Sequence, residues 1–354
     1  MARMTSTPRL PETAAVLAVR RGVREWFAAR GGPSPVCVGL SGGADSLALT
    51  AAAVVEAETV HAVVVDHRLQ DGSAAVAARA AALALALGCA EAVVVPVDVG
   101  RDGGVEAAAR RARYAALDSA RGDKPVLLGH TLDDQAETVL LGLGRGSGGH
   151  SLRGMGAWNA PWGRPLLGVR RAQTERMCAD LGLQPWADPH NLDPAYTRVR
   201  LRTEVLPLLE DVLGGGVAQA LARTADQLRD DGEVLDSLTT GLLRAARTAV
   251  LNTPGEATPT TAGGPGDSDR PALAIEILAT AAPALRRRAI RAWLAEQGVS
   301  GLLNAHLQAI DELVRNWRGQ GGVAVAGGGR DHRLVVAREH GTLTVRAQPR
   351  NDAT

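Results

Sequence analysis

The residues best suited to chemistry lie in a short segment between an apolar run and a helical pattern. The run Val36–Leu40 is followed by Ser41–Ser46, which reads Ser-Gly-Gly-Ala-Asp-Ser, and then by residues rich in alanine and leucine. Adjacent glycines let backbone amides approach an anion closely, and a helix N-terminus contributes about half a positive charge. The only lysine is Lys124, so this is not a Walker loop, which needs a lysine after its last glycine. The pattern predicts a phosphate-binding loop.

A second candidate site lies in the segment His130–Thr138. Asp134 and Glu137 are three residues apart, so they share one face of a predicted helix. A structural interpretation is also available, because Thr131 followed by Asp134 is close to a capping box and Glu137 could be a solvated helix residue. Taken alone, the segment favours that structural interpretation. A phosphate loop in the same predicted sheet reverses the preference, so we expect functional carboxylates here.

The elements that position these residues are predicted from hydrophobic periodicity. Up to about residue 130, short apolar runs alternate with alanine-rich helical segments, which is typical of an α/β fold with a doubly wound, mainly parallel sheet. Ligands of such sheets bind beyond the carboxyl ends of the strands. Three of the four runs are followed there by polar candidates, at Ser41–Ser46, Asp66–Arg68 and His130–Glu137. The four runs are Val36–Leu40, Val60–Val65, Val93–Val97 and Val126–Gly129.

The composition and periodicity of the remaining residues predict a second, smaller domain. We expect a catalytic domain over residues 1–212, a helical connector over 213–251, a disordered insertion over 252–270, a small α/β accessory domain over 271–347 and a tail over 348–354. The insertion is rich in Thr, Pro, Gly and Asp and has no apolar face. The accessory domain should contain amphipathic helices at Pro283–Glu296 and Ala305–Trp317, and it should end in short strands around Val323, Leu334 and Leu343.

Composition narrows the classes of protein to consider. The 354 residues are 45% hydrophobic and 22% charged, as in ordinary globular domains, and the formal net charge is +1, so a nucleic-acid surface would have to be local. Cys37, Cys89 and Cys178 stand apart, which indicates neither a disulfide framework nor a zinc ribbon. The longest uncharged apolar run, Ala80–Ala90, is shorter than the roughly 20 residues of a membrane span. We expect a cytoplasmic protein without a membrane segment.

Several motifs together resemble a known family. The Ser41–Ser46 loop resembles the pyrophosphate-binding loop (PP-loop) of N-type ATP pyrophosphatases, which have an adenine nucleotide α-hydrolase-like, Rossmann-like fold. Over roughly residues 15–215, the order of the motifs is similar to that in tRNA(Ile)-lysidine synthases. Two motifs depart from the family pattern: Thr131 stands where a second histidine is common, and the usual Asp-His-Gly-Leu-Arg reads Asp66-His67-Arg68-Leu69-Gln70. The further motifs are Val65–Leu69, Glu106–Tyr114, His130–Thr138, Leu143–Gly148, Trp186–Pro194, Arg198–Arg202 and Leu206–Leu209.

The resemblance implies a tRNA-modifying ligase. In this family the C2 carbonyl of cytidine 34, in the CAU anticodon of tRNA(Ile), is adenylated by ATP with loss of pyrophosphate. The ε-amine of free L-lysine then displaces AMP, which gives lysidine. The implied cofactors are ATP and Mg²⁺, with no obligate protein partner and a homodimer left open. The alternatives are tRNA 2-thiolation by a related PP-loop enzyme and a nucleotide-binding module without turnover.

The resemblance also implies roles for individual residues. ATP binding is expected from Ser41, Gly42, Gly43, Ala44, Asp45, Ser46 and Asp66. Catalytic roles are expected for Asp45, His130, Asp134, Glu137 and Arg145, with Asp45 and Asp134 as Mg²⁺ ligands because this ion prefers oxygen donors. Lysine arrives protonated, so Glu137 with Asp134 would bind its ammonium group and accept a proton. Contacts to tRNA are expected from Arg110, Arg113, Tyr114, Arg198, Arg200 and Arg202.

Structural alternatives stay open for several of these residues. Asp45 would also complement the helix dipole at the N-terminus of its own helix. Arg145 would complement the dipole at the C-terminus of the predicted helix that contains Asp134 and Glu137. His130 could be a packing residue after a strand. The arginines of the segment Arg110–Tyr114 could form a solvated helix face beside a core tyrosine, and the same interpretation is open for Arg198–Arg202.

Overall fold

The computed structural model describes residues 10–100, 104–146, 149–188, 193–251, 272–299, 301–328 and 332–349. The chain divides into two units, Met1–Arg229 and Asp230–Thr354. The insertion predicted over residues 252–270 lies outside the described part of the chain. No single helix among the described residues has the length and apolar character of a membrane span; one pair, Thr197–Val212 with Val217–Leu251, meets that test only when joined across a 96° bend.

A six-stranded sheet organises the first unit. Its strands are β1 (Pro35–Gly39), β2 (Thr59–Asp66), β3 (Glu91–Pro96), β4 (Val126–Leu128), β5 (Trp158–Asn159) and β6 (Trp162–Gly163). Their spatial order is β3-β2-β1-β4-β6-β5, and all neighbours are parallel except β5 and β6. The chain leaves β1 towards β2 and later returns to its other side as β4. Ligands of open α/β sheets bind at such a switch point.

Helices cover both faces of this sheet. Val36 and Val38 of β1 belong to one buried apolar cluster, whereas Cys37 belongs to a second cluster that includes Leu117. The predicted doubly wound α/β fold is therefore confirmed. The helices of this part of the chain are α1 (Ala14–Ala28), α2 (Ala44–Glu56), α3 (Ser73–Leu87), α4 (Val105–Ala120), α5 (Leu132–Gly144), α6 (Gly149–Leu152), α7 (Arg171–Asp180), α8 (Thr197–Arg200), a π-helical turn (Leu201–Val205) and α9 (Leu206–Val212). Helix α10 (Val217–Leu251) begins in the first unit and continues into the second.

Strands β5 and β6 were not predicted, because each is only two residues long and lies in a glycine-rich region. Aromatic packing holds them in the sheet. The ring of Trp158 lies 5.7 Å from that of Trp26 in α1, and the ring of Trp162 lies 4.6 Å from that of Tyr114 in α4, measured between centroids. The Cα of Gly163 is so close to the Trp26 indole that a side chain there would collide with it.

The described part of the second unit contains the end of α10, three further helices and a four-stranded antiparallel sheet in the order β7-β10-β9-β8. The predicted helices and strands of this region are present, and Ile290, Trp293 and Leu294 lie in its buried apolar cluster. The elements are β7 (Leu273–Ala274), α11 (Ile275–Thr280), α12 (Pro283–Glu296), α13 (Asn304–Arg315), β8 (Val323–Val325), β9 (His332–Glu339) and β10 (Thr342–Pro349).

Candidate active site

A cavity of about 760 Å³ opens beyond the carboxyl ends of β1, β2 and β4. The phosphate loop forms one wall, and Asp134, at the start of α5, lies on another. His67 and His130, which follow β2 and β4, also line it. The sheet thus brings the two motifs, which are about 90 residues apart in the chain, to a single cavity.

The phosphate loop is held in shape by its own serines. The Ser41 N–H donates to Ser46 Oγ at 3.2 Å, and that hydroxyl donates to the Gly43 carbonyl at 2.9 Å. Gly42 has φ of +83°, a conformation that favours glycine, and its carbonyl accepts the Trp186 N–H at 2.9 Å. Helix α2 begins at Ala44, so its first-turn amides have no partner within the helix. They lie at the cavity wall, where an anion can accept their hydrogen bonds.

The end of β4 allows this helix to approach closely. A Cβ atom added to Gly129 would lie 3.0 Å from the carbonyl carbon and oxygen of Asp45 and 3.1 Å from the amide nitrogen of Ser46. A larger residue would therefore push the first turn of α2 away from the strand. Gly129 is a positioning residue for the phosphate loop.

Asp134 combines the two functions that the sequence left as alternatives. Its Oδ2 accepts hydrogen bonds from both the N–H and the hydroxyl of Thr131, each at 2.8 Å, which completes the capping box of α5. Its Oδ1 forms an ion pair with Arg171 at 2.6 Å. Burial alone would raise the pKa of Asp134, but Arg171 and the Thr131 hydrogen bonds outweigh burial and hold that pKa below its usual value. Asp134 is therefore a cap that also presents a negative charge to the cavity.

Glu137 is fully buried, so it is not the solvated helix residue of the structural interpretation. It is not one of the cavity residues; two arginine side chains that line the cavity contact it instead. The Nε of Arg202 lies 2.8 Å from Glu137 Oε1, and Nη1 of Arg171 lies 3.5 Å from the same oxygen. Glu137 thus lies behind the two guanidinium groups.

Arg171, at the start of α7, is the main site residue that the sequence did not predict. Its guanidinium contacts three carboxylates: Nε lies 3.2 Å from Asp45 Oδ2, and the other two contacts are those to Asp134 and Glu137. Burial opposes its charge, but the three carboxylates more than compensate and raise the pKa of Arg171 above its ordinary value. Helical spacing in the sequence could have indicated this residue. Thr174 and Cys178 are buried on one face of α7, and Arg171 lies three residues before the first and seven before the second, which puts it on the same face.

Asp45 is tied to α7 as well. The Thr174 hydroxyl donates to Asp45 Oδ1, while Oδ2 accepts from Arg171. Burial raises the pKa of Asp45, and these two partners only partly offset that effect. The three acidic residues Asp45, Asp134 and Glu137 surround one guanidinium, and we call them the acid cluster.

The cavity is also lined by three basic residues, His67, Arg113 and His130. Among the described residues, Nδ1 of His67, Nε of Arg113 and Nδ1 of His130 are buried and have no hydrogen-bond partner. Burial lowers the pKa of His130 to about 3, and burial together with Arg113 also lowers the pKa of His67, so both imidazoles are neutral near pH 7. Buried polar atoms usually have partners, so three unpartnered nitrogens on residues that line one cavity are available to a ligand.

Three of the residues expected to contact tRNA lie together on α4. The guanidinium groups of Arg110 and Arg113 lie over the Tyr114 ring, at 4.8 and 5.7 Å from its centroid, and Arg110 Nη2 donates to the Tyr114 hydroxyl at 3.0 Å. Arg113 also lines the cavity, and Tyr114 packs on Trp162 of β6. Their contact with tRNA stays a prediction.

The arginines of the second group lie on different faces. Arg198 and Arg202 are four residues apart and both approach Glu137, with Arg198 Nη1 at 3.7 Å from Oε2. Arg200, between them, is exposed and forms an ion pair with Glu204 at 2.9 Å. One helical face thus contributes to the acid cluster, and the other faces solvent.

Two further predicted residues are not among those that line the cavity. Arg145 is an exposed residue at the C-cap of α5, at the opposite end of that helix from Asp134, where a cation complements the helix dipole. A catalytic role for Arg145 stays a prediction. Asp66 is buried at the end of β2, where its Oδ1 accepts the Arg68 N–H at 3.0 Å, so its carboxylate shapes the turn beside the cavity.

Comparison with known proteins identifies the family to which these motifs belong. The family model for a PP-loop domain matches residues 18–209, and the model for a TilS substrate binding domain matches residues 273–344. The tRNA(Ile)-lysidine synthase of Nocardia farcinica is 63% identical over 337 residues, which cover 95% of this chain and 99% of that protein. The chain belongs to the tRNA(Ile)-lysidine synthase family.

Other members of the tRNA(Ile)-lysidine synthase family give the same result. The relative from Rhodococcus jostii is 59% identical and the match covers 95% of this chain and 97% of that protein. The relative from Mycobacterium tuberculosis is 54% identical over 88% of this chain and 91% of that protein. Both family models and these relatives together confirm the resemblance inferred from the motifs.

Proposed function

We propose that this chain ligates free L-lysine to C2 of cytidine 34 in the CAU anticodon of tRNA(Ile), with conversion of ATP to AMP and pyrophosphate. The observation that carries the proposal is that Asp45 and Asp134 of the acid cluster line the same cavity as the phosphate-binding loop, with Glu137 behind them. A reaction that activates an oxygen with a nucleotide and then delivers an amine needs both features together.

The phosphate loop would hold the pyrophosphate portion of ATP through the first-turn amides of α2 and the Ser41 and Ser46 hydroxyls. Fixed amide dipoles suit this role, because they stabilise negative charge without having to reorient when the α–β bond breaks. His67, Arg113 and His130 would contact the α-phosphate and the activated base. Arg113 supplies a cation there, and neutral His67 and His130 each present an unpartnered nitrogen.

The acidic residues beside the loop fit a magnesium ion. Among the described residues no group of three or more His, Cys, Asp or Glu side chains is arranged to hold a metal. Mg²⁺ often takes only one or two carboxylates, with water and substrate phosphate oxygens completing its coordination. Asp45 and Asp134 share one guanidinium, so their oxygens converge beside the phosphate loop and would hold the ion. When bound, it would neutralise charge on the leaving pyrophosphate.

Lysine transfer requires a proton acceptor. The ε-ammonium group has an ordinary pKa of about 10.4, so it must lose a proton before its nitrogen can attack. In the transfer step the amine nitrogen forms a bond to C2, the bond from C2 to the adenylate oxygen breaks, and AMP leaves with the electron pair. The proton goes to the acid cluster, in which Asp134 lines the cavity and Glu137 is fully buried.

The cysteines argue against the alternative of tRNA 2-thiolation. Cys37, Cys89 and Cys178 are all buried, and none lines the cavity. Burial raises the pKa of Cys89 to about 12 and that of Cys178 to about 11, so neither is a thiolate at neutral pH. Thiolation needs a reactive sulfur at the nucleotide site, and these side chains do not supply one.

The two regions that the family models match would have different roles in the reaction. We assign the adenylation and transfer chemistry to the predicted catalytic domain, residues 1–212, and tRNA contact outside the anticodon to the accessory domain, residues 271–347. The description of the family model that matches residues 273–344 supports the second assignment. The proposal needs no protein partner, and it places the reaction in the cytoplasm, where tRNA, ATP and free lysine occur together.

Pyrophosphate release tests the first half of the reaction. The protein is incubated with Mg²⁺-ATP and a tRNA(Ile) transcript carrying CAU, without lysine. Release that requires the transcript and disappears when cytidine 34 is replaced by uridine supports adenylation of that base. A nucleotide-binding module without turnover would bind ATP and release no pyrophosphate with either transcript.

A further inference from the structure

We propose that Arg171 is a positioning residue that occupies the lysine-binding side of the acid cluster until ATP is bound. When the triphosphate arrives, the Arg171 guanidinium moves to it, and the carboxylates become available to the lysine ammonium group. This inference rests on the proposed function and adds an order of binding, with ATP before lysine.

The contacts of Arg171 obstruct the carboxylates that lysine needs. The Oδ2 of Asp134 is committed to the Thr131 cap, and Oδ1, the oxygen left for a ligand, is 2.6 Å from Arg171 Nη2. The same guanidinium lies 3.5 Å from Glu137, which is fully buried. An ammonium group therefore cannot bind at Oδ1 while Arg171 occupies that oxygen. Arg202 is a second cation nearby, with Nη2 3.6 Å from Asp134 Oδ1 and Nε 2.8 Å from Glu137 Oε1, but Arg171 makes the shortest contact with Oδ1.

The charge of the cluster is already balanced. Its three carboxylates contact three guanidinium groups, those of Arg171, Arg198 and Arg202. With this arrangement there is no excess negative charge to attract a cationic substrate. Departure of the Arg171 guanidinium removes one positive charge from the cluster and frees the carboxylate oxygens that it contacts.

The phosphate loop provides the alternative partner. Arg171 Nε lies 3.2 Å from Asp45, which belongs to the first turn of the helix whose amides form the loop. Arg171 also lines the cavity, so open space adjoins its side chain. A bound triphosphate would bring several negative charges within reach of this guanidinium, and arginine is suited to bidentate contact with phosphate oxygens.

The effect of bound nucleotide on the affinity for lysine tests this proposal directly. We would measure the dissociation constant of radiolabelled lysine by equilibrium dialysis, in Mg²⁺ buffer, with and without an ATP analogue that has a methylene group between its α and β phosphorus atoms. For the unmodified chain the analogue should tighten lysine binding by about tenfold or more, since hydrogen bonds between charged groups are of that order. By linkage, lysine should tighten binding of the analogue by the same factor.

Without nucleotide, the variant Arg171→Met should bind lysine about as tightly as the unmodified chain binds it in the presence of the analogue. Addition of the analogue should then change the dissociation constant of lysine for this variant very little. Arg170→Met is a matched control, because Arg170 is the neighbouring residue and pairs with Asp133 at 3.0 Å outside the cavity. It should keep the tenfold coupling. Arg171→Lys keeps the positive charge but replaces the guanidinium by a smaller ammonium group, so its coupling should lie between those of the unmodified chain and Arg171→Met. This variant keeps the experiment decisive if Arg171→Met fails to fold.

The possible results separate the two proposals. Coupling in Arg171→Met equal to that of the unmodified chain overturns the role of Arg171. Lysine binding that is insensitive to the analogue in every variant also overturns it but leaves the ligase proposal intact. Absence of lysine binding under all conditions, together with pyrophosphate release, counts against lysine as the acceptor and thus against both.

Discussion

Replacement of Thr131 by valine removes one buried hydroxyl and leaves the side-chain volume nearly unchanged. That hydroxyl donates to Asp134 Oδ2 at 2.8 Å and accepts the Asp134 N–H at 3.4 Å, at the start of α5. The backbone N–H of residue 131 remains and still donates to Oδ2 at 2.8 Å. The variant therefore tests the contribution of one hydrogen bond to the orientation and charge of a proposed catalytic carboxylate.

The expected loss of stability follows from these contacts. A hydrogen bond to a charged group contributes about 1.5–3 kcal/mol, and loss of an N-cap side chain costs about 0.5–2 kcal/mol. These describe overlapping interactions here, so we expect the free energy of unfolding to fall by about 2 kcal/mol. The pKa of Asp134 should also rise, since the hydroxyl is one of the groups that lower it. With Asp134 less firmly held, kcat/KM for lysine transfer should fall by about tenfold.

The measurements are urea denaturation followed by tryptophan fluorescence and steady-state lysine transfer. Thr138→Val is the matched control, because its hydroxyl lies on the same helix but donates to the backbone carbonyl of Asp134 at 2.8 Å and accepts only long hydrogen bonds, of 3.4 and 3.5 Å, from Arg198. We expect it to change stability by less than about 1 kcal/mol. If Thr131→Val is as stable and as active as Thr138→Val, the capping hydroxyl does not hold Asp134 and this reasoning is wrong.

Three other perturbations test separate parts of the site. Asp45→Asn and Glu137→Gln should each reduce lysine transfer by about 100-fold or more while the circular dichroism spectrum stays unchanged, and full activity in either would contradict its role. Gly129→Ala should weaken ATP binding, measured by calorimetry, because its Cβ would press on the first turn of α2; unchanged affinity would show that the turn yields. Burial lowers the pKa of His130 to about 3, so its neutral form contributes stability that is present above about pH 6.5 and lost as the pH falls towards 3. Histidine NMR with His130→Asn for assignment should show no titration of this residue between about pH 8 and 5, and a midpoint near 6.5 would contradict its burial.

The sheet and the two motifs were predictable because their signals are local. Strands such as Val126–Leu128 are continuous apolar runs, and the loop and the capping segment are contiguous patterns. The rule that ligands bind at the carboxyl ends of parallel strands then places the motifs together. Periodicity could not predict β5 and β6, because a two-residue strand has no period and depends on tryptophans from distant helices.

The charge pattern inside the cavity was less predictable. Arg171 enters the site because α7 packs with its Thr174 and Cys178 face inward, which is a property of the tertiary structure. Arg202 contacts Glu137 and Arg200 is exposed because residues two apart along a helix lie on different faces, but the sequence alone does not say which face is inward. The motifs and the spacing favoured tRNA contact for all three arginines, whereas Arg198 and Arg202 also pair with the buried Glu137.

Incorporation of radiolabelled lysine into tRNA tests the central claim most directly. The protein is incubated with Mg²⁺-ATP, labelled lysine and a tRNA(Ile) transcript carrying CAU, with a second transcript in which cytidine 34 is replaced by uridine. The account predicts label in the first transcript, only when ATP is present, and none in the second. Pyrophosphate release without label in the tRNA would contradict the claim, because the nucleotide chemistry would then serve an acceptor other than lysine.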